Sequence, residues 1–145
     1  MAVGAELRDR GHQVTIATSP VYAAKIASEN FGFHPVRPDV SLEDRATLEQ
    51  VMDARRGAER IVRYMCGTVR EAYEDTVPAA ERADVIVTHP ITYAAVLAAE
   101  KLRKPWISSV LAPIMFLSAY DPPTPAAAPW LVKFRAFGPA VMRAI

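Results

Sequence analysis

The 145-residue chain has little cysteine and no surplus of either charge. The single thiol, Cys66, cannot close an internal disulfide or supply the paired cysteines of a zinc site, so a reducing, cytoplasmic setting is expected. Seventeen basic against sixteen acidic residues leave a net charge of +1. That balance gives no field to gather a polyanion, which argues against nucleic acid or an anionic membrane surface as partner. Charges appear by position 6 and no apolar run approaches the roughly 20 residues of a membrane helix, so neither a secretion signal nor a span is expected. Also lacking are G-x-G-x-x-G after a strand, G-x-x-x-x-G-K-S/T, H-E-x-x-H and G-x-S-x-G. No self-contained nucleotide site is visible, and no cofactor or metal is expected.

What the chain does have is apolar material. Hydrophobic residues make up 51% and aromatics 8%, enough for one domain with a real core over residues 1–145. "MAVGAELRDR" has helical spacing already running at Met1, and Gly11 suits the position just past a helix end. A β-branched strand is predicted at 13–18, then a helix opened by Ser19 and Pro20 as N-cap and first helical residue. A short strand at 33–36 is cut off by Pro35 and Pro38, which places it near a sheet edge. Ser41 and Asp44 resemble a capping arrangement for a long helical region that Gly57 breaks or bends. "DVIVTH", "ITYAAVLAAEKL" and "PWISSVL" read as strand, helix and strand, a βαβ unit. A proline-rich loop at 113–129 follows, and helical spacing returns at Trp130, interrupted by Gly138 and Pro139. The alternation predicts an α/β fold, a parallel sheet flanked by helices.

His89 is the leading candidate for chemistry, because open parallel sheets bind ligands at the carboxyl ends of their strands. Pro90 fixes the turn after it, and the next helix would present free N–H groups to the same crevice. The alternative is that His89 only caps that helix or packs under the proline-rich loop. His12 and His34 share no metal-like spacing with His89. Cys66 lies among helical apolar positions and is expected to be a small buried hydrophobe. The run "LAPIMFLSAYDPP" either lines an apolar pocket, with Met115, Phe116 and Tyr120 beside the polar Ser118 and Asp121, or covers the sheet edge. Arg55, Arg56, Arg60 and Arg63, interleaved with Asp53 and Glu59, read as a solvated helix face.

"AELRDRGHQVTIATSP", "ADVIVTHPITYAAVLAAEKLRKPWISSVLAP" and "FLSAYDPP" together resemble the amino-terminal, acceptor-binding half of GT-B glycosyltransferases. The nearest flavour is the bacterial enzymes similar to sterol, macrolide and UDP-glucuronosyl transferases. The resemblance implies an incomplete Rossmann-like domain. In that family a first strand, and a loop that often carries a catalytic base histidine, precede the helix ending in "AELRDRGH"; here the sequence begins inside that helix, so no residue inherits the base by position. In some relatives an Asp at the fourth strand's end orients the base, and His89 stands at the matching place.

The implied activity is transfer of a sugar from a nucleotide donor to a hydroxyl of an apolar small molecule. His89, Pro90, Thr92, Pro113, Met115, Phe116 and Ser118 would face the acceptor, and the nucleotide sugar would be held only by a second domain, so the chain alone is not expected to be competent. The alternatives are a non-catalytic binding or partner module, or a truncated remnant. The resemblance also implies an empty place between the strands at 13–18 and in "DVIVTH". Those strands are expected to pair directly, or to be covered in a homo-oligomer.

Overall fold

A computed structural model of the chain describes residues 1–39, 49, 51–53, 56–111, 118, 120–121, 124 and 129–142. The elements in order are α1 (Ala2–Asp9), β1 (Thr15–Thr18), a 3₁₀ turn (Pro20–Tyr22) running into α2 (Ala23–Ser28), and β2 (Gly32–Pro35). Then come α3 (Gly57–Gly67), α4 (Val69–Arg82), β3 (Ile86–Thr88), α5 (Tyr93–Lys101) and β4 (Trp106–Ser108). A 3₁₀ helix (Pro129–Phe137) and α6 (Pro139–Met142) close the described chain, separated by Gly138 at φ 79°.

Three helices deliver the chain into the next strand by the same device. After α1, Gly11 N–H donates to the Arg8 carbonyl at 2.8 Å and His12 N–H to the Leu7 carbonyl at 3.1 Å. After α2, Asn30 and Phe31 bond the carbonyls of Ala27 and Ile26; after α5, Arg103 and Lys104 bond those of Glu100 and Ala99. Each is a Schellman ending, in which one left-handed residue reverses the chain and satisfies the last carbonyls. Gly11 takes that conformation at φ 90° without strain, whereas Asn30 and Arg103 take it at 58° and 53° with a Cβ in the way.

The described strands form two separate parallel pairs. β1 runs beside β2 with Ile16 opposite Phe33, and β3 beside β4 with Val87 opposite Ile107. The single sheet expected from the alternation of elements is thus divided, and β1 does not close up on β3. Within the second pair Thr88 is buried while Val87 and Ile107 are 49% and 57% exposed. Because side chains alternate along a strand, Val87 and Ile107 share one bare face; on the other face Thr88 is buried, whereas Trp106 and Ser108 of β4 are exposed.

The best-covered part is the seam between α4 and α5. Ala72, Thr76 and Ala80 recur every four residues on α4, with Ala94, Ala98 and Ala99 on α5, and all six are buried. Small side chains let the two helices approach closely, and α5 also lies against β3. A second small core forms where Ile26 and Phe31, at the end of α2, are buried.

Four expectations need correction or restriction. Cys66 is exposed, not buried, because it lies on a stretch of α3 whose neighbours Val62 and Tyr64 are also exposed. Ser19 takes the N-cap position and Pro20 opens the helix as expected, but the first turn is 3₁₀ and Ser19 makes no side-chain cap; its hydroxyl donates to Asp39 Oδ1 at 3.1 Å. Gly57 breaks the helical region and does not bend it: it begins α3, with its N–H on the Asp53 carbonyl at 2.8 Å and its Cα so near the Val51 carbonyl that a Cβ would collide with it. The proposed capping residues Ser41 and Asp44 lie outside the described residues.

Candidate functional site

β3 carries the chain to its carboxyl end at Thr88, whose carbonyl accepts the Ser109 N–H at 2.7 Å. Its hydroxyl faces the Ile107 carbonyl at 3.4 Å. The chain then reverses in four residues: Thr92 N–H donates to the His89 carbonyl at 2.9 Å, with Pro90 second in the turn, where its fixed φ is preorganised.

Thr92 locks this turn twice more. Its hydroxyl accepts the His89 N–H at 3.1 Å and donates to the His89 carbonyl at 2.6 Å. So engaged, it makes no side-chain cap on α5, although Thr92 occupies the N-cap position. The Ile91 N–H points at His89 Nδ1, 3.4 Å away. His89, Pro90 and Thr92 are therefore one structural unit, each half-buried, at the junction of β3 and α5.

Of the remaining expected site residues, Ser118 alone is among the described ones. Ser118 accepts the N–H groups of Tyr120 and Asp121 at 3.2 and 3.1 Å, so its hydroxyl is committed to its own turn. Pro113, Met115 and Phe116 lie outside the described residues. His12 is exposed, and His34 Nε2 lies 2.6 Å from the Asp75 carbonyl. Among the described residues no group of three or more His, Cys, Asp or Glu side chains is placed to hold a metal ion.

Arg56 and Arg63 are exposed, and Arg63 pairs with Glu59 at 2.9 Å one helical turn away, as a solvated face would have it, but Arg60 is half-buried and Arg55 lies outside the described residues.

Two features have no counterpart in the sequence reading. Arg37 grips Asp75 of α4, and this partner, more than the opposing effect of burial, holds the Asp75 carboxyl below its ordinary range. A broad groove of about 800 Å³ runs between α4 and α5, lined by Val69, Tyr73, Leu97 and Lys101 among others. The Lys101 ammonium lies 5.5 Å from the centre of the Tyr73 ring. The groove includes no residue of the His89–Thr92 turn. Helical spacing from Val69 through Lys101 could have flagged two facing helices, but not the opening between them.

Among the described residues no helix is long and apolar enough to cross a membrane. No family model and no curated relative matches the sequence. Among solved structures, the fold is similar to that of SsfS6, a glycosyltransferase from Streptomyces sp. SF2575, with TM-score 0.59 and 18% identity over 91% of this chain and 38% of that one. The same glycosyltransferase complexed with thymidine diphosphate aligns with TM-score 0.58, again at 18% identity and with the same coverage.

The chain thus has a partial glycosyltransferase-like α/β fold and spans 38% of the length of the enzyme it matches.

Proposed function

We propose that this chain is the acceptor-binding part of a GT-B glycosyltransferase that moves a sugar from a nucleotide donor to a hydroxyl of an apolar small molecule. The observation that carries this reading is the likeness to SsfS6 over 91% of the chain. The turn at the end of β3 supports it, since it sets His89 and Thr92 where parallel sheets receive ligands.

Transfer requires donor and acceptor atoms to meet within about 3 to 3.5 Å, so both halves of such an enzyme must close on one cleft. The thymidine diphosphate held by SsfS6 suggests the kind of donor that the other half takes. These residues alone carry no phosphate-binding loop, and the chain by itself is not competent for transfer.

Calorimetry separates the two roles. Hydroxylated polycyclic compounds are expected to bind the isolated chain, and UDP- or TDP-sugars are not. A micromolar dissociation constant for a nucleotide sugar, at defined stoichiometry, overturns the assignment. A second reading, a non-catalytic partner module, is favoured by one observation, the bare apolar face carrying Val87 and Ile107.

A further inference from the structure

The imidazole of His89 is held by its own backbone. The Ile91 amide approaches Nδ1 at 3.4 Å, and an amide N–H can only donate. In that long contact Nδ1 is the acceptor, which favours the neutral ring with its proton on Nε2. The turn maintains this arrangement, because the three hydrogen bonds between His89 and Thr92 fix the segment that carries the Ile91 N–H. Nε2 has no hydrogen-bond partner among the described residues, and it is not one of their buried unpartnered atoms, so it keeps some contact with solvent.

A general base needs an unprotonated nitrogen facing the hydroxyl that it activates. In His89 the unprotonated nitrogen is committed to Ile91, and the nitrogen that reaches outward is a donor. We propose that His89 is a specificity-determining hydrogen-bond donor, its Nε2–H directed at a hydroxyl or carbonyl oxygen of an apolar ligand, and that it is not the proton-abstracting base. The ligand class rests on the acceptor-binding reading above; the tautomer does not. No bond is made or broken at His89, so the group that takes the acceptor's proton belongs to another part of the complete cleft.

Long-range ¹H–¹⁵N correlation on ¹⁵N-labelled protein, followed upward in pH until the ring signals stop moving, reads the tautomer directly. Nδ1 is expected to resonate as a bare, pyridine-type nitrogen and Nε2 as a protonated one. Titration with 2-naphthol, and with naphthalene as the hydroxyl-free control, is expected to move the Nε2 resonance with the first compound only. The hydroxyl should improve binding roughly three- to tenfold, the usual worth of one hydrogen bond. His89→Gln, whose amide nitrogen stands near the place of Nε2, should keep that preference. His89→Ala and His89→Asn should lose it.

A ring protonated on Nδ1, or exchanging between the two forms, overturns the donor role and leaves the acceptor-binding reading untouched. A ring protonated on Nε2, with no resonance in 88–93 responding to either compound, overturns both. Equal affinity for the two compounds overturns the donor role alone.

Discussion

Arg37 clamps Asp75 from three positions: Nε donates to Oδ2 at 2.7 Å, Nη2 to Oδ1 at 2.8 Å, and the backbone N–H to Oδ2 at 3.0 Å. Arg37 follows β2 and Asp75 sits in the middle of α4, so the clamp ties the first strand pair to the helix that packs on α5. His34 adds a bond to the Asp75 carbonyl.

The clamp predicts an acid-sensitive contribution to stability. The hydrogen bonds from Arg37 hold the folded Asp75 carboxyl below its ordinary value of 3.8. A carboxyl depressed in the folded state contributes fully above its unfolded pKa, and the contribution fades as pH falls through the folded one. With Arg37 half-exposed, solvent screening keeps the effect modest. Thermal melts of the wild type and Asp75→Asn from about pH 7 to about pH 3 should show a gap at neutral pH that begins to narrow on acidification below the ordinary carboxylate range. A gap that stays constant would count against the clamp.

Packing between α4 and α5 predicts an asymmetry between adjacent residues. Ala98 is fully buried, whereas Leu97 is 47% exposed. Ala98→Leu must force the helices apart, at a cost of about 1–3 kcal/mol. Leu97→Ala leaves no closed cavity and should stay within about 0.5 kcal/mol of the wild type. Urea midpoints measure both, and equal losses would contradict the seam.

Arg103 predicts a gain. It holds φ 53° at the end of α5, where a Cβ is disfavoured, and its side chain is exposed. Arg103→Gly removes the clash and should stabilise by roughly 1 kcal/mol, partly offset by the entropy glycine loses on folding. Asn30→Gly should do less, since asparagine tolerates the left-handed region. Denaturant midpoints of the two variants test the ranking.

Those two left-handed residues mark where the sequence stopped being legible. Gly11 announces the end of α1 because glycine is the default there, but nothing in "KLRKPW" tells that an arginine will take the same conformation. The elements themselves were readable from periodicity: β1, β3, α5 and β4 fall inside the segments predicted for them. Their division into two strand pairs was not, because pairing is decided between segments far apart in the chain. At the candidate site, the position of His89 and the turn at Pro90 were visible. The direction of two hydroxyls was not: Thr92 turns back to His89 and Ser118 to its own loop, since short polar side chains bond whichever backbone group lies nearest. Cys66 was misjudged because helical apolar spacing predicts a buried stripe only where a neighbouring element covers it.

The bare face of the β3–β4 pair predicts self-association. Val87 and Ile107 stand directly opposite each other, about half-exposed, and Val85 continues the same face. Parallel strands are almost always covered on both faces, because open β-branched surface in water forgoes about 25 cal/mol for each Å² left unburied. Purified chain should therefore associate as concentration rises, either as a defined homo-oligomer or as aggregates. Ile107→Lys, alone or with Val87→Lys, puts a charge where a second copy would dock. Association should fall, while thermal stability changes by no more than about 0.5 kcal/mol because neither side chain is buried in the folded chain. Size-exclusion chromatography with light scattering, run beside thermal melts, gives both readouts. If the wild type stays monomeric at every concentration and the lysine variants elute identically, the face is not a docking surface and its exposure has no consequence in solution.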